Sequence, residues 1–343
     1  MESPSQWYGA ASIGGACMVI VLGLAALTTA RAAYRCCCVQ RFSFAGAHVL
    51  VTGGSSGIGL AVAQEAAARG AVVTVLARTR SKLVSAVDSL DSARAAAGSD
   101  HTTASPHGFE CADVTDPAAV EAACAAAVAA RGPISVLVAC AGAAQPGYFL
   151  DQTSSVFERS MQLNYLGVVN AVKAVTPAMC ERGEGRIVLV ASGAAVVSFI
   201  GYSSYAPTKW ALRGFGDALR NELVGFDRAA GGNGARAGGV RVHIAYPPDT
   251  QTPGFDLENE SKPVETSRVA PPDVYPPRAV AVKMLRASRT VLMGADTGVS
   301  SSLTRPPHHA SLPHSSLHPD RAFQAGSRWA TTTSLRPIRC KTC

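Results

Sequence analysis

The sequence predicts an α/β fold: a doubly wound parallel sheet of the Rossmann type, with an N-terminal transmembrane helix before it and a disordered tail after it. Three observations predict it. Short apolar strands alternate with helix-length stretches from residue 48 to residue 247. Those strands are apolar throughout, as strands buried on both faces of a parallel sheet must be. A glycine-rich turn, "TGGSSGIG" (52–59), joins the first strand to the first helix.

The elements follow in order. Residues 7–30 carry no charge over 24 positions. At about 1.5 Å per residue such a helix crosses a hydrocarbon core of about 30 Å. Trp7, Tyr8 and Tyr34 flank it as interfacial aromatics do. A cleaved signal peptide is the competing reading, but it requires a basic start, and only Glu2 precedes the run. Arg31, Arg35 and Arg41 lie on the far side. The positive-inside rule then puts the N-terminus in the lumen and the rest in the cytosol. Cys36, Cys37 and Cys38 just past the span stand open to acylation, with three unmodified thiols as the alternative.

Residues 43–298 form the predicted catalytic domain, between an anchor segment (1–42) and a tail (299–343). His48–Thr52 is its first strand, and the glycine turn opens a helix with one apolar face. "AVVTVLAR" (71–78) is the second strand, with a helix over Ser81–Ala97. "FECADV" (109–114) is the third, followed by a helix over Pro117–Ala130. "ISVLVACAG" (134–142) is the fourth, leading into one long helix over 154–181. "GRIVLVAS" (185–192) is the fifth, with a helix over Tyr205–Phe226, and "VRVHIAYP" (240–247) is the sixth. "RTVLMG" (289–294) reads as a shorter seventh strand, and Gly231–Gly239 as a surface insertion. Beyond residue 299 a Ser-, Pro- and His-rich stretch has no periodicity and reads as disordered.

Composition narrows the function. A hydrophobic fraction of 48% with 16% charge suits a buried core and excludes a disordered chain. The net charge of +7 is concentrated in residues 299–343, which hold six Arg and Lys against Asp320. The remainder has no basic stripe, so no nucleic-acid partner is expected. The ten cysteines lack a disulfide spacing, and Cys111, Cys124, Cys140 and Cys180 read as reduced and buried. Cys340 and Cys343 form a terminal C-x-x-C with no element around it, and His308, His309, His314 and His318 lie in low-complexity sequence. No metal site is assigned.

The chemistry concentrates in two places. Glycines at 53, 57 and 59 allow a tight turn, close backbone approach and helix packing, and the helix N-terminus attracts phosphate. In "YSSYAPTK" (202–209), Tyr205 and Lys209 are four apart, on one helix face about 5–6 Å apart at Cβ. Tyr202 stands seven residues from Lys209 and falls outside that arrangement. A free phenol has a pKa of about 10. A nearby ammonium favours the phenolate and is expected to lower that value. An isolated Y-x-x-x-K is more often plain helix surface, so the pair needs support from elsewhere in the chain.

That support is a set of motifs in order. Thr52, Gly53, Gly57 and Gly59 give T-G-x-x-x-G-x-G. Asp113 follows the third strand, "CAG" occupies 140–142, Asn164 lies in "LNYLG", and Ser192 precedes Tyr205 by thirteen residues. From about residue 46 to 298 the chain resembles the short-chain dehydrogenase/reductase family. The resemblance implies an NADPH- or NADH-dependent oxidoreductase. Tyr205 then donates the proton, Ser192 bonds the carbonyl oxygen, Lys209 also holds the nicotinamide ribose, and Asn164 positions a water. Thr52, Gly53, Ser55, Ser56, Gly57, Ile58, Gly59, Asp113 and Val114 become candidate cofactor contacts, with Asp113 on the adenine.

NAD-binding turns place an acid at the end of the second strand. From Ala66 to Val87 there is no Asp or Glu, and Arg78 stands there instead, with Lys82 and Ser55 near it in sequence. A guanidinium there fits a 2′-phosphate, so NADPH is expected. An ordinary solvated arginine is the alternative.

"AYPPDTQTPGFDLENESKPVET" (245–266), "FGDALRNEL" and "NYLGVVNAVKAVTP" resemble the 3-ketodihydrosphingosine reductases within that family. This implies a long-chain 3-keto sphingoid base as substrate, a membrane-lipid environment, and the cytosolic face of the endoplasmic reticulum. The sequence puts forward Asp249, Asp256, Glu258 and Glu260 as candidates to face the substrate ammonium, against solvated acids as the alternative. A retinoid or steroid reductase of the same family, or a nucleotide-binding regulatory protein without turnover, are the rival readings. The sequence assigns no oligomeric state. It departs from the family at Ala139, where asparagine is usual and a looser central sheet or cofactor rim is expected, and at the basic tail, which replaces apolar sequence. A lineage feature and a gene-model error both remain open for that tail.

Overall fold

The computed structural model describes residues 22–23, 26–28, 39–98, 107–229, 239–269 and 273–292. The expected membrane span (7–30) lies almost wholly outside the described residues, as do Cys36–Cys38, most of the glycine-rich insertion and the tail. No helix among the described residues is long and apolar enough to cross a membrane.

Six parallel strands make the central sheet. They are β2 (His48–Thr52), β3 (Val72–Ala77), β4 (Gly108–Cys111), β5 (Ile134–Ala139), β6 (Glu184–Val190) and β7 (Gly239–Ala245), in the order β4-β3-β2-β5-β6-β7. Strand order reverses between β2 and β5, which register Val49 on Val136 through Thr52 on Ala139. In open α/β sheets, ligands bind outside the carboxyl ends of strands at such a reversal.

Both faces are covered, as the apolar strands demand. One layer holds α1 (Gly57–Ala68), α2 (Arg80–Ala96) and α9 (Pro277–Ser288). The other holds α3 (Pro117–Arg131), α5 (Gly167–Arg182) and α6 (Ala206–Ala229). Leu50, Leu76, Leu137, Ile187 and Leu189 face one layer, and Val49, Val51, Val75, Val136 and Val188 the other, all nearly or fully buried. Each such side chain contributes about 1.5–3 kcal/mol. Asp116 caps α3, accepting from the N–H groups of Ala118 and Ala119, with Pro117 at the first position.

Several expectations need correction. The long helix over 154–181 is three pieces: α4 (Ser154–Met161), a π-helical turn (Gln162–Leu166) and α5. Thr290–Leu292 (β8) does not extend the main sheet but pairs antiparallel with β1 (Val39–Arg41) in a separate two-stranded ribbon. The segment 245–266, given no elements by the sequence, contains α7 (Pro253–Ser261) and the start of α8 (Val264–Val269). Helix α9 had no strong sequence signal because prolines crowd its start. Cys111 is exposed, because it ends an edge strand, whereas Cys124 is buried. Ala139 does not loosen the sheet: it is fully buried and pairs with Thr52 and Leu189.

Candidate active site

The glycine turn is built to bring backbone close. Gly53 and Gly57 have φ of 68° and 56°, a region that only glycine adopts without strain. A Cβ at Gly53 would lie 2.8 Å from the Ala141 Cα, and one at Gly59 would run into the Gly53 carbonyl. The turn therefore folds against the end of β5. The Thr52 hydroxyl accepts the N–H of Cys140 at 3.1 Å and of Ala141 at 3.2 Å, tying the two strand ends together across the reversal. Ser56 sits at the N-cap of α1 without a side-chain capping bond. Ser55 and Ile58 are half-buried beside it. These features leave the α1 N-terminus open to a phosphate, so the residues fit a dinucleotide pyrophosphate.

At the outer end of this cleft, Arg78 follows β3 and Asp113 follows β4. The Arg78 guanidinium lies 3.8 Å from Asp113 Oδ2. Asp113 Oδ1 accepts from the Thr115 N–H (2.9 Å) and hydroxyl (2.8 Å), and those bonds, more than Arg78, hold its carboxyl below the usual range. Lys82 is exposed on α2, and Val114 is buried, with its carbonyl accepting from the Asn170 amide at 2.9 Å.

The inner end is dry. Asn164 lies in the π-helical turn and is fully buried. Its Oδ1 accepts the Ala143 N–H at 2.9 Å and its Nδ2 donates to the Ala143 carbonyl at 2.9 Å. One extra residue in that turn aims the side chain sideways out of the helix, a use of π-bulges common at functional sites. Lys209, only 5% exposed, donates to the Val190 carbonyl at 3.1 Å. A Cβ on Gly142 would lie 2.9 Å from Asn164 Oδ1 and 3.4 Å from Lys209 Nζ, so both polar groups converge where glycine leaves room.

Ser192 stands close enough to Tyr205 to act on its hydroxyl, and the Ser192 hydroxyl accepts the Ala194 N–H at 3.2 Å. The Lys209 Nζ stands 5.6 Å from the Tyr205 ring centre. Burial lowers the Lys209 pKa to about 8, with only Cys140 opposing. The expectation for the phenol is reversed. Burial pushes Tyr205 up, Ser192 pulls it down, and Glu258, Cys140 and Asp249 add to the rise. Among these protein groups desolvation is the largest cause. A phenol held neutral has its proton available to give.

Beside Tyr205 opens a cavity of about 440 Å³, lined mainly by Tyr148, Phe149, Phe199, Ile200 and Tyr202. Tyr202, set aside by the i, i+4 argument, packs edge-on to Tyr205 with ring centres 6.0 Å apart, and its hydroxyl donates to Glu258 of α7. Helical spacing could not find Tyr202, since it precedes the helix. Among the described residues no group of His, Cys, Asp and Glu could hold a metal.

Comparisons with known proteins agree with this architecture. Residues 47–262 match the short chain dehydrogenase family. The chain is 38% identical over 267 residues to a 3-ketodihydrosphingosine reductase of Bos taurus, covering 76% of this chain and 74% of that one. It is 35% identical over 266 residues to the enzyme of that name from Dictyostelium discoideum, covering 75% and 74%. It is 39% identical over 225 residues to a 3-dehydrosphinganine reductase of Danio rerio, covering 66% and 63%. A tryptophan variant of actinorhodin polyketide ketoreductase, solved with NADPH, superposes with a TM-score of 0.59 at 28% identity, covering 70% of this chain and 90% of that one.

Proposed function

Because the chain belongs to the short-chain dehydrogenase family, we infer from its relatives and its site that it reduces 3-ketodihydrosphingosine to dihydrosphingosine in sphingolipid biosynthesis. The observation that carries the chemistry is the gathering of Ser192, Tyr205 and Lys209, the last 5.6 Å from the Tyr205 ring centre, at the strand-order reversal. A bound reduced nicotinamide supplies the hydride. Tyr205 gives its proton to the carbonyl oxygen as charge builds there, and Ser192 donates a hydrogen bond to the same oxygen. Lys209 compensates the negative charge left on the phenol. Asn164 fixes the 142–143 backbone against that amine, and the cavity under Phe149, Phe199 and Ile200 takes the first part of the alkyl chain.

NADPH is the favoured cofactor. The support is Arg78, 71% exposed at the end of β3, where the sequence lacks an acid. Residues 7–30 act as a membrane anchor that places the domain on the cytosolic face of the endoplasmic reticulum. The support is their uncharged length and the arginines that follow. A glycosylation acceptor inserted ahead of Trp7 should be modified in cells, and absence of modification overturns this orientation.

The purified protein should oxidise NADPH with the sphingoid ketone and not with retinal or a steroid ketone. Cells lacking the reductase should regain long-chain bases when they express it. No turnover of the sphingoid ketone in either setting would defeat the reading.

A further inference from the structure

The substrate inferred above carries an ammonium on the carbon next to its ketone, so the site must accommodate a cation within a few ångströms of Tyr205. Four acids of the segment 245–266 stood as candidates, and the structure separates them. Asp256 and Glu260 are exposed on α7, whereas Glu258 and Asp249 are half-buried, near enough to Tyr205 for their charge to act on it. Of these two, Glu258 is bonded to a residue that lines the cavity. Tyr202 lines the cavity with its ring, stands edge-on to Tyr205, and donates its hydroxyl to Glu258.

We propose that Glu258 binds the substrate ammonium and that Tyr202 is the positioning residue that holds the carboxylate toward it. The inference rests on the sphingoid-ketone reading. Lys262, 3.8 Å from Glu258, supplies one positive charge beside two carboxylates. It also sits 4.4 Å over the Phe255 ring, so it keeps a partner when Glu258 turns to the substrate. A substrate cation brings the local charge toward balance. Burial, with Asp249 beside it, raises the Glu258 carboxyl above its usual range, and Tyr202 and Lys262 offset part of that rise. Because Glu258 lies on α7 and Tyr202 on the loop before α6, the same contact ties that helix to a loop that lines the cavity.

The test compares the amino ketone with the same long-chain 3-ketone lacking the amine. Glu258→Gln keeps an acceptor for the Tyr202 hydroxyl but removes the charge. It should lower the ratio of kcat/KM for the amino ketone over the amine-free ketone by about ten- to a hundredfold, mostly through KM, the range of a hydrogen bond to a charged group. Tyr202→Phe, which keeps the ring, should lower the ratio in the same direction by less. An unchanged ratio in Glu258→Gln overturns the proposal, including the case where both ketones slow equally, which assigns Glu258 to holding α7 in place alone. If the wild-type protein reduces neither ketone, it is the reductase reading that fails.

Discussion

The two ends of the cofactor cleft solve opposite physical problems. At the outer end, Arg78 and Asp113 are 71% and 39% exposed and form a loose 3.8 Å pair. At the inner end, Asn164 is fully buried and Lys209 is 5% exposed. Water and salt screen charges at the first end, so neither residue is committed to the other. At the second end every polar atom needs a protein partner, and Asn164 finds both of its partners in Ala143. The difference teaches that the open end can choose a cofactor, while the dry end can shift a pKa.

The sharpest way to break that comparison is at Tyr205. Tyr205→Phe removes the donor from the dry end and should lower kcat by about 10²–10⁴-fold. Titration of NADPH by fluorescence should show binding close to wild type. Near-normal turnover in this variant would remove the proton-donor role.

A smaller effect is expected at the open end. Arg78→Ala should shift the ratio of KM for NADPH to KM for NADH by about tenfold, the weight of one charge-assisted hydrogen bond. The shift should shrink between low and high ionic strength, since the group is solvated. A salt-independent effect would mean that this end is drier in the complex than its exposure suggests.

The smallest effect concerns pH. Lys209 titrates at about 8 because burial favours its neutral form. Its charged form prevails below that value and is lost as pH rises through it. The kcat/KM for reduction should therefore fall on the alkaline side with an inflection near 8, and Arg78→Ala should leave the inflection in place. A profile flat to pH 10 would show that the lysine keeps its proton through the reaction.

The amino edge of the sheet carries the entry of the chain. Phe42 packs under Arg186 at 5.2 Å and Phe44 under Arg69 at 5.8 Å, while Arg289 donates to the Phe42 carbonyl at 3.0 Å. The chain thus joins the domain at the edge opposite the cleft. Nothing in the composition of residues 39–44 foretold this, because β1 is specified by its partner β8 and not by its own three residues.

What the sequence determined alone was everything with a short-range cause. The apolar strands called for a doubly covered parallel sheet, glycines 53, 57 and 59 for a close turn, and Tyr205 and Lys209, four apart at the start of a helix, for two side chains near each other. The tertiary structure decided what depends on burial and on contacts distant in the chain. It split the 154–181 helix at a π-turn so that Asn164 could reach Ala143, and it joined Tyr202 to Glu258 across 56 positions. It also turned the expected fall in the Tyr205 pKa into a rise. Spacing gives the neighbours of a charged group, but the loss of water around that group, which sets its proton affinity, exists only once the chain has folded.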